Sequence, residues 1–202
     1  MIAERTKPSN LPTLLNQVRA CTVCAVPLAE WDLLPRPVLQ VDARARILVV
    51  GQAPGRKVYE SGVPFADASG ARLREWMGVD AATFYDPCQI AILPMGFCYP
   101  GTGKSGDLPP RKECAPQWRA PLMAAMPNIR LTLVIGQYAM AWHLPDQAGD
   151  CLTDTVKNWQ VHWPHTLPLP HPSPRNNIWL KANPWFVTEV VPALQARVRE
   201  VL

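Results

Sequence analysis

The chain has 202 residues, 48% of them apolar in type, and a formal charge of +4 at neutral pH. That length buries one core and contains no long polar or low-complexity tract for a second domain, so a single domain over 1–202 is expected. A mildly basic balance permits a nucleic-acid partner without demanding one, and no apolar run approaches the ~20 residues that a bilayer span needs. The N-terminus, with Glu4, Arg5 and Lys7 ahead of an amphipathic segment, lacks a signal-peptide core, which makes the cytoplasm the expected compartment. In a reducing compartment, six cysteines point to metal ligands or buried thiols before disulfides.

In chain order, Leu11, Leu14, Leu15 and Val18 recur at helical spacing and run directly into Cys21 and Cys24. After the proline-rich Leu34–Pro37 comes a strand over Arg46–Val50, then a loop through Asp67. Ser69 is expected to cap a helix that passes Trp76 and stops near Gly78. Ile90–Leu93 reads as a strand, Arg111–Met126 as a helix broken at Pro121, Leu131–Ile135 as a strand and Tyr138–Leu144 as a helix. A last helix runs from Pro184 onward. Alternation of strands and helices predicts a three-layer αβα sandwich around a mostly parallel four-stranded sheet.

Two short loops stand out against this frame. Gly51-Gln52-Ala53-Pro54-Gly55 follows the apolar run Ile47–Val50, and His171-Pro172-Ser173-Pro174-Arg175 follows Leu167–Pro170. Both are placed at strand ends, where open α/β sheets hold their ligands. Backbone amides at Gln52, Ala53 and Gly55 suit a carbonyl oxygen or a phosphate. Gly103-Lys104-Ser105 has the look of a P-loop end, but the required first glycine is Cys98, and Pro109-Pro110 cannot begin the long helix that must follow.

Four cysteines form a second pattern. Cys21 and Cys24 make a CxxC after the first helix, and Cys98 and Cys114 flank a loop rich in glycine and proline. Two thiolates from a tight turn and two from a long loop enclose either a tetrahedral zinc or a cubane cluster, and spacing alone does not choose between these or from four buried reduced thiols. Cys88 and Cys151 stand outside the pattern.

Together these features resemble the uracil-DNA glycosylase superfamily, closest to its iron–sulfur branch, family 4. The resemblance implies a four-iron, four-sulfur cluster on Cys21, Cys24, Cys98 and Cys114, serving as architecture. It also implies a monomeric, monofunctional enzyme that excises uracil or a related base from DNA, with no covalent step. A flipped base would stack on Phe65, which matches the family phenylalanine, inside a pocket built from Gly51, Ala53, Pro54 and Gly55. His171, in a motif matching the family 1 HPSP, would donate a hydrogen bond to the base oxygen as it becomes anionic. Ser173 would bind phosphate, Arg175 would stand where family 1 wedges a leucine into the stack, and Asn176 and Lys104 would extend the backbone contacts.

Two positions depart from the family. Family 4 has a glutamate where this chain has Gln52, and family 1 an aspartate where it has Ala53. Water positioning would then fall to neutral Gln52, with Asp67 or Glu60 in reserve. Family 4 reads the base edge with an asparagine where Pro94 stands, which shifts recognition to the backbone of Met95 and Gly96. Both departures also fit a rival reading, a damage-binding module of the same fold without efficient cleavage.

Overall fold

The computed structural model describes residues 10–104, 106–147 and 151–202. Helices α1 (Leu11–Arg19) and α2 (Ala25–Ala29) precede strand β1 (Ile47–Val50), and α3 (Arg56–Ser61), α4 (Ala68–Met77) and α5 (Ala81–Phe84) lead on to β2 (Ile90–Ile92). A short hairpin of β3 (Thr102–Gly103) and β4 (Gly106–Asp107) comes before α6 (Cys114–Ala124). The chain continues through β5 (Leu131–Ile135), α7 (Gln137–His143), α8 (Leu152–Lys157), β6 (Thr166–Leu169), α9 (Asn177–Ala182) and α10 (Val191–Val201).

The central sheet has the order β2-β1-β5-β6, and every pair is parallel. Its strands are short apolar runs, buried almost throughout. A strand buried on successive residues is covered on both faces, and this places the sheet as the middle of three layers. Against it pack α7 on β5 and α8 on β6, while α4 lies on α10 and α1 on α6. Gln40 closes the outer edge of β2 through two backbone bonds with Ile92, of 2.7 and 2.9 Å, so that edge is not left open. Pro168 is tolerated inside β6 because β6 is an edge strand.

The order reverses between β1 and β5: the chain leaves β1 for β2 on one side, then crosses to the other side for β5 and β6. Loops leaving the C-terminal ends of strands near such a reversal diverge and leave a crevice.

Four local expectations are corrected. The cap of α4 is Asp67, whose carboxylate accepts from the Gly70 amide at 3.0 Å, and Ser69 is buried within the first turn. An aspartate two residues upstream supplies a charged acceptor to the exposed N-terminal amides, which a serine already inside the turn cannot do. Pro121 does not break α6, which runs on to Ala124. The carbonyl it orphans belongs to exposed Gln117, which solvent can reach. The long loop expected before Asp67 contains α3, and the C-terminal segment opens with a π-turn over Phe186–Val190 before α10.

Candidate active site and cysteine cavity

A cleft of about 520 Å³ opens over the C-terminal ends of the strands. The loop after β1 contributes Gly51, Gln52, Ala53, Pro54 and Gly55, the loop after β6 contributes His171, Ser173, Arg175 and Asn176, and Phe65 and Asp67 enter ahead of α4. Two loops separated by more than a hundred residues in sequence thus face one cavity because their strands are parallel and end at the same edge.

Phe65 is held unusually. It is one of two non-glycine residues with positive φ among the described residues, at +54°, a conformation that costs about 1–3 kcal/mol and persists only where its surroundings enforce it. Here α4 enforces it: a Cβ on Gly70 would run into the Phe65 carbonyl, which also accepts from the Tyr85 hydroxyl at 3.3 Å. The ring meets Phe84 edge-on at 6.1 Å, and its tip lies 3.7 Å from where a Gly51 side chain would begin. One edge of the ring is fixed by packing while the ring forms part of the cleft wall.

His171 is oriented by its own loop. The Ser173 amide donates to His171 Nδ1 at 3.2 Å, so in the neutral ring the proton resides on Nε2. Burial pushes its pKa below the ordinary histidine value, against the opposing pull of the Asp67 and Asp107 carboxylates. The loop is tied down from three sides: the Asn176 side chain donates to the His171 carbonyl at 2.7 Å, Arg72 of α4 donates to the Ser173 carbonyl at 3.0 Å, and the Ser173 hydroxyl accepts from the Arg175 amide at 3.2 Å. Arg175 itself is exposed, with its guanidinium near Gly106 of the hairpin, and exposed Lys104 sits at the hairpin's turn.

Around the first loop, the Gln52 side-chain amide is engaged, donating from Nε2 to the Leu108 carbonyl at 2.9 Å. Among the described residues no acceptor takes the backbone N–H of Gln52, Ala53 or Gly55. Met95 and Gly96 are a correction. They do not line the cleft; their amides donate to the Gly51 and Gln52 carbonyls at 2.8 and 3.0 Å, so neither N–H is free to read a base. Their role is to hold the first loop in place. Pro94 does line the cleft.

The sequence pattern missed four residues here. Asp107 lines the cleft from β4, Lys57 from α3, and Arg72 braces the second loop. Arg119 of α6, 1% exposed, donates to the Leu93 and Pro94 carbonyls at 3.0 and 3.2 Å and to His143 Nε2. None belongs to a motif; each is reached only through tertiary contact.

A second, small cavity is lined by Cys21, Cys24, Cys98 and Cys114, together with Arg111 and Phe97. Burial pushes the Cys98 thiol up to about 11 and the Cys114 thiol to about 12. The Phe97 amide donates to Cys114 Sγ at 3.4 Å, and Arg111 donates to Glu113 Oε1 at 2.8 Å. Arg111 Nε is buried without a partner. Four thiols on one cavity, with a cation and an unsatisfied N–H beside them, suit a group that carries negative charge on sulfur. Among the described residues no three His, Cys, Asp or Glu side chains close on a single ion-sized point.

A parallel α/β domain whose crevice combines a stacking aromatic, an oriented neutral imidazole and open backbone amides has the features of a base-handling protein. A model of the uracil DNA glycosylase superfamily matches residues 39–195, and the chain belongs to that superfamily. The match begins after Cys21 and Cys24.

Proposed function

We propose that this chain is a monofunctional DNA glycosylase that hydrolyses the N-glycosidic bond of a uracil or related deaminated base flipped out of DNA, leaving an abasic site. The observation that carries this reading is the His171 tautomer. With Nδ1 occupied by the Ser173 amide, Nε2–H is a donor available to the base carbonyl. As the C1′–N bond lengthens, charge accumulates on the base, and a neutral donor preorganised in a half-buried, hydrogen-bonded loop stabilises it without reorganisation. Phe65 stacks on the base face, and the free amides of Gln52, Ala53 and Gly55 bind a carbonyl or phosphate oxygen. Ser173, Arg175, Asn176 and Lys57, which line the cleft, and Lys104 at the turn of the hairpin would contact the DNA backbone.

The rival, a damage-binding module, has one observation in its favour: Gln52 Nε2 is spent on Leu108 and neither loop position carries a carboxylate. Single-turnover incubation with oligonucleotides holding uracil, hypoxanthine, xanthine or a mismatched thymine separates the two. The expected result is an alkali-labile site at one of these bases. DNA that is bound and left intact in every case would establish the rival.

Cys21, Cys24, Cys98 and Cys114 are proposed to hold a four-iron, four-sulfur cluster, supported by their shared cavity and the buried, unpartnered Arg111 Nε. Bound there, it would cross-link the turn after α1 to the loop after β2 and to the start of α6, contributing to folding rather than to redox chemistry. Protein purified anaerobically is expected to carry about four iron and four sulfide per chain. Zinc in place of iron, or no metal, would overturn the assignment.

A further inference from the structure

Neither Gln52 nor Ala53 offers a carboxylate, and the Gln52 side-chain Nε2 is engaged with the Leu108 carbonyl. Hydrolysis still needs an acceptor for the proton that water loses. We propose that Asp107, on the β3–β4 hairpin, is the catalytic carboxylate that holds and deprotonates the attacking water, delivered to the cleft from a separate element. This inference rests on the glycosylase reading.

Asp107 lines the same cleft as His171, Phe65 and the first loop. It reaches over that loop: a Cβ on Gly55 would sit 3.3 Å from Asp107 Oδ2, so Gly55 leaves room for the carboxylate. Its charge acts on the His171 ring. The other oxygen is oriented, since the Thr102 hydroxyl donates to Oδ1 at 3.2 Å and is itself hydrogen-bonded to the Tyr99 hydroxyl. Asp107 is exposed, so solvent water has direct access to it.

The hairpin is built to present this residue. Thr102 pairs with Asp107 and Gly103 with Gly106, and the Leu108 amide donates to the Gly101 carbonyl at 2.9 Å. Gln52 then docks the hairpin on the first loop through the Leu108 carbonyl, one residue beyond Asp107. Gln52 is on this account a positioning residue. Asp67 also lines the cleft, but its Oδ1 caps α4, so turning it toward water would uncap that helix, whereas Asp107 is held by a single exposed hydroxyl.

The C1′–N bond breaks and its electron pair leaves on the base, whose oxygen accepts a hydrogen bond from His171 Nε2–H. Water oxygen bonds to C1′, its proton passes to the Asp107 carboxylate, and that proton returns through solvent to the base nitrogen. One water is consumed per base released.

The test uses full-length wild type and variants, on the substrate that wild type cleaves. Asp107→Asn is expected to lower the single-turnover rate at least thirtyfold, with the half-saturating DNA concentration within threefold of wild type. Added formate is expected to restore Asp107→Ala in proportion to its concentration. Asp107→Asn retaining more than half the wild-type rate would overturn the inference while leaving the glycosylase reading intact. So would a loss that formate does not restore, since Asp107 would then only hold the hairpin. Absence of cleavage by wild type would defeat the glycosylase reading first.

Discussion

At the scale of single residues, the cleft depends on positions whose neighbours leave them no alternative. Phe65 adopts positive φ because α4 packs its first turn directly on the Phe65 carbonyl, and Gly70 is the residue that makes this approach sterically open. His171 is neutral and singly oriented because a backbone amide two residues on occupies its Nδ1. The histidine and its loop were legible in the sequence because they form a local pattern at a strand end, and Phe65 because it matches a family position ahead of α4. Asp107 was not: Gly106-Asp107-Leu108 sits inside a loop whose evident signal is its flanking cysteines, and only the docking of the hairpin by Gln52 brings the carboxylate to the cleft. Met95 and Gly96 misled for a related reason. A backbone amide's availability is set by which strand end it neighbours, and here both amides brace the first loop.

At the scale of elements, α6 joins the two cavities. Cys114 at its start faces the cysteine cavity, and Arg119 near its middle reaches the Leu93 and Pro94 carbonyls beside the cleft. Arg119 also donates to His143 of α7, whose Nε2 must therefore be an acceptor with the proton on Nδ1. Burial and the Arg119 charge push His143 down to about 4. An unfolded histidine binds a proton near pH 6.5, so between there and about 4 the unfolded state holds more protons than the folded one. Stability is complete above that window and falls as pH drops through it. From pH 7 to pH 5 the wild type is expected to lose about 2 kcal/mol more than His143→Gln in urea unfolding. Parallel losses would remove His143 from the account. The strands of the central sheet and most long helices were legible because their apolar runs and periodicities are strong, whereas α3, α5, α8 and α9, of four to six residues, have too few turns to establish a period and form through tertiary packing.

At the scale of the whole molecule, one parallel sheet does the assembling. Because β1, β2 and β6 end at the same edge, loops that begin at residues 51, 93 and 170 converge, and the crevice at the order reversal is where they meet. The cysteine cavity lies behind the same loops and shares Gly96 with the segment that braces Gln52, so a group bound there would stiffen the floor of the cleft. A net charge of +4 is modest, and on the proposed reading the basic side chains of the cleft, Lys57 and Arg175, would supply local rather than global attraction for DNA. No helix among the described residues is long and apolar enough to cross a membrane. Single-turnover base release by His171→Ala, read beside its DNA affinity, addresses the function at its centre. Loss of a hundredfold or more in rate, with affinity within threefold of wild type, is the expected result, as removal of one preorganised donor at a developing anion costs about 3–4 kcal/mol. A variant that releases the base within threefold of the wild-type rate would contradict the role of His171 and the catalytic reading built on it.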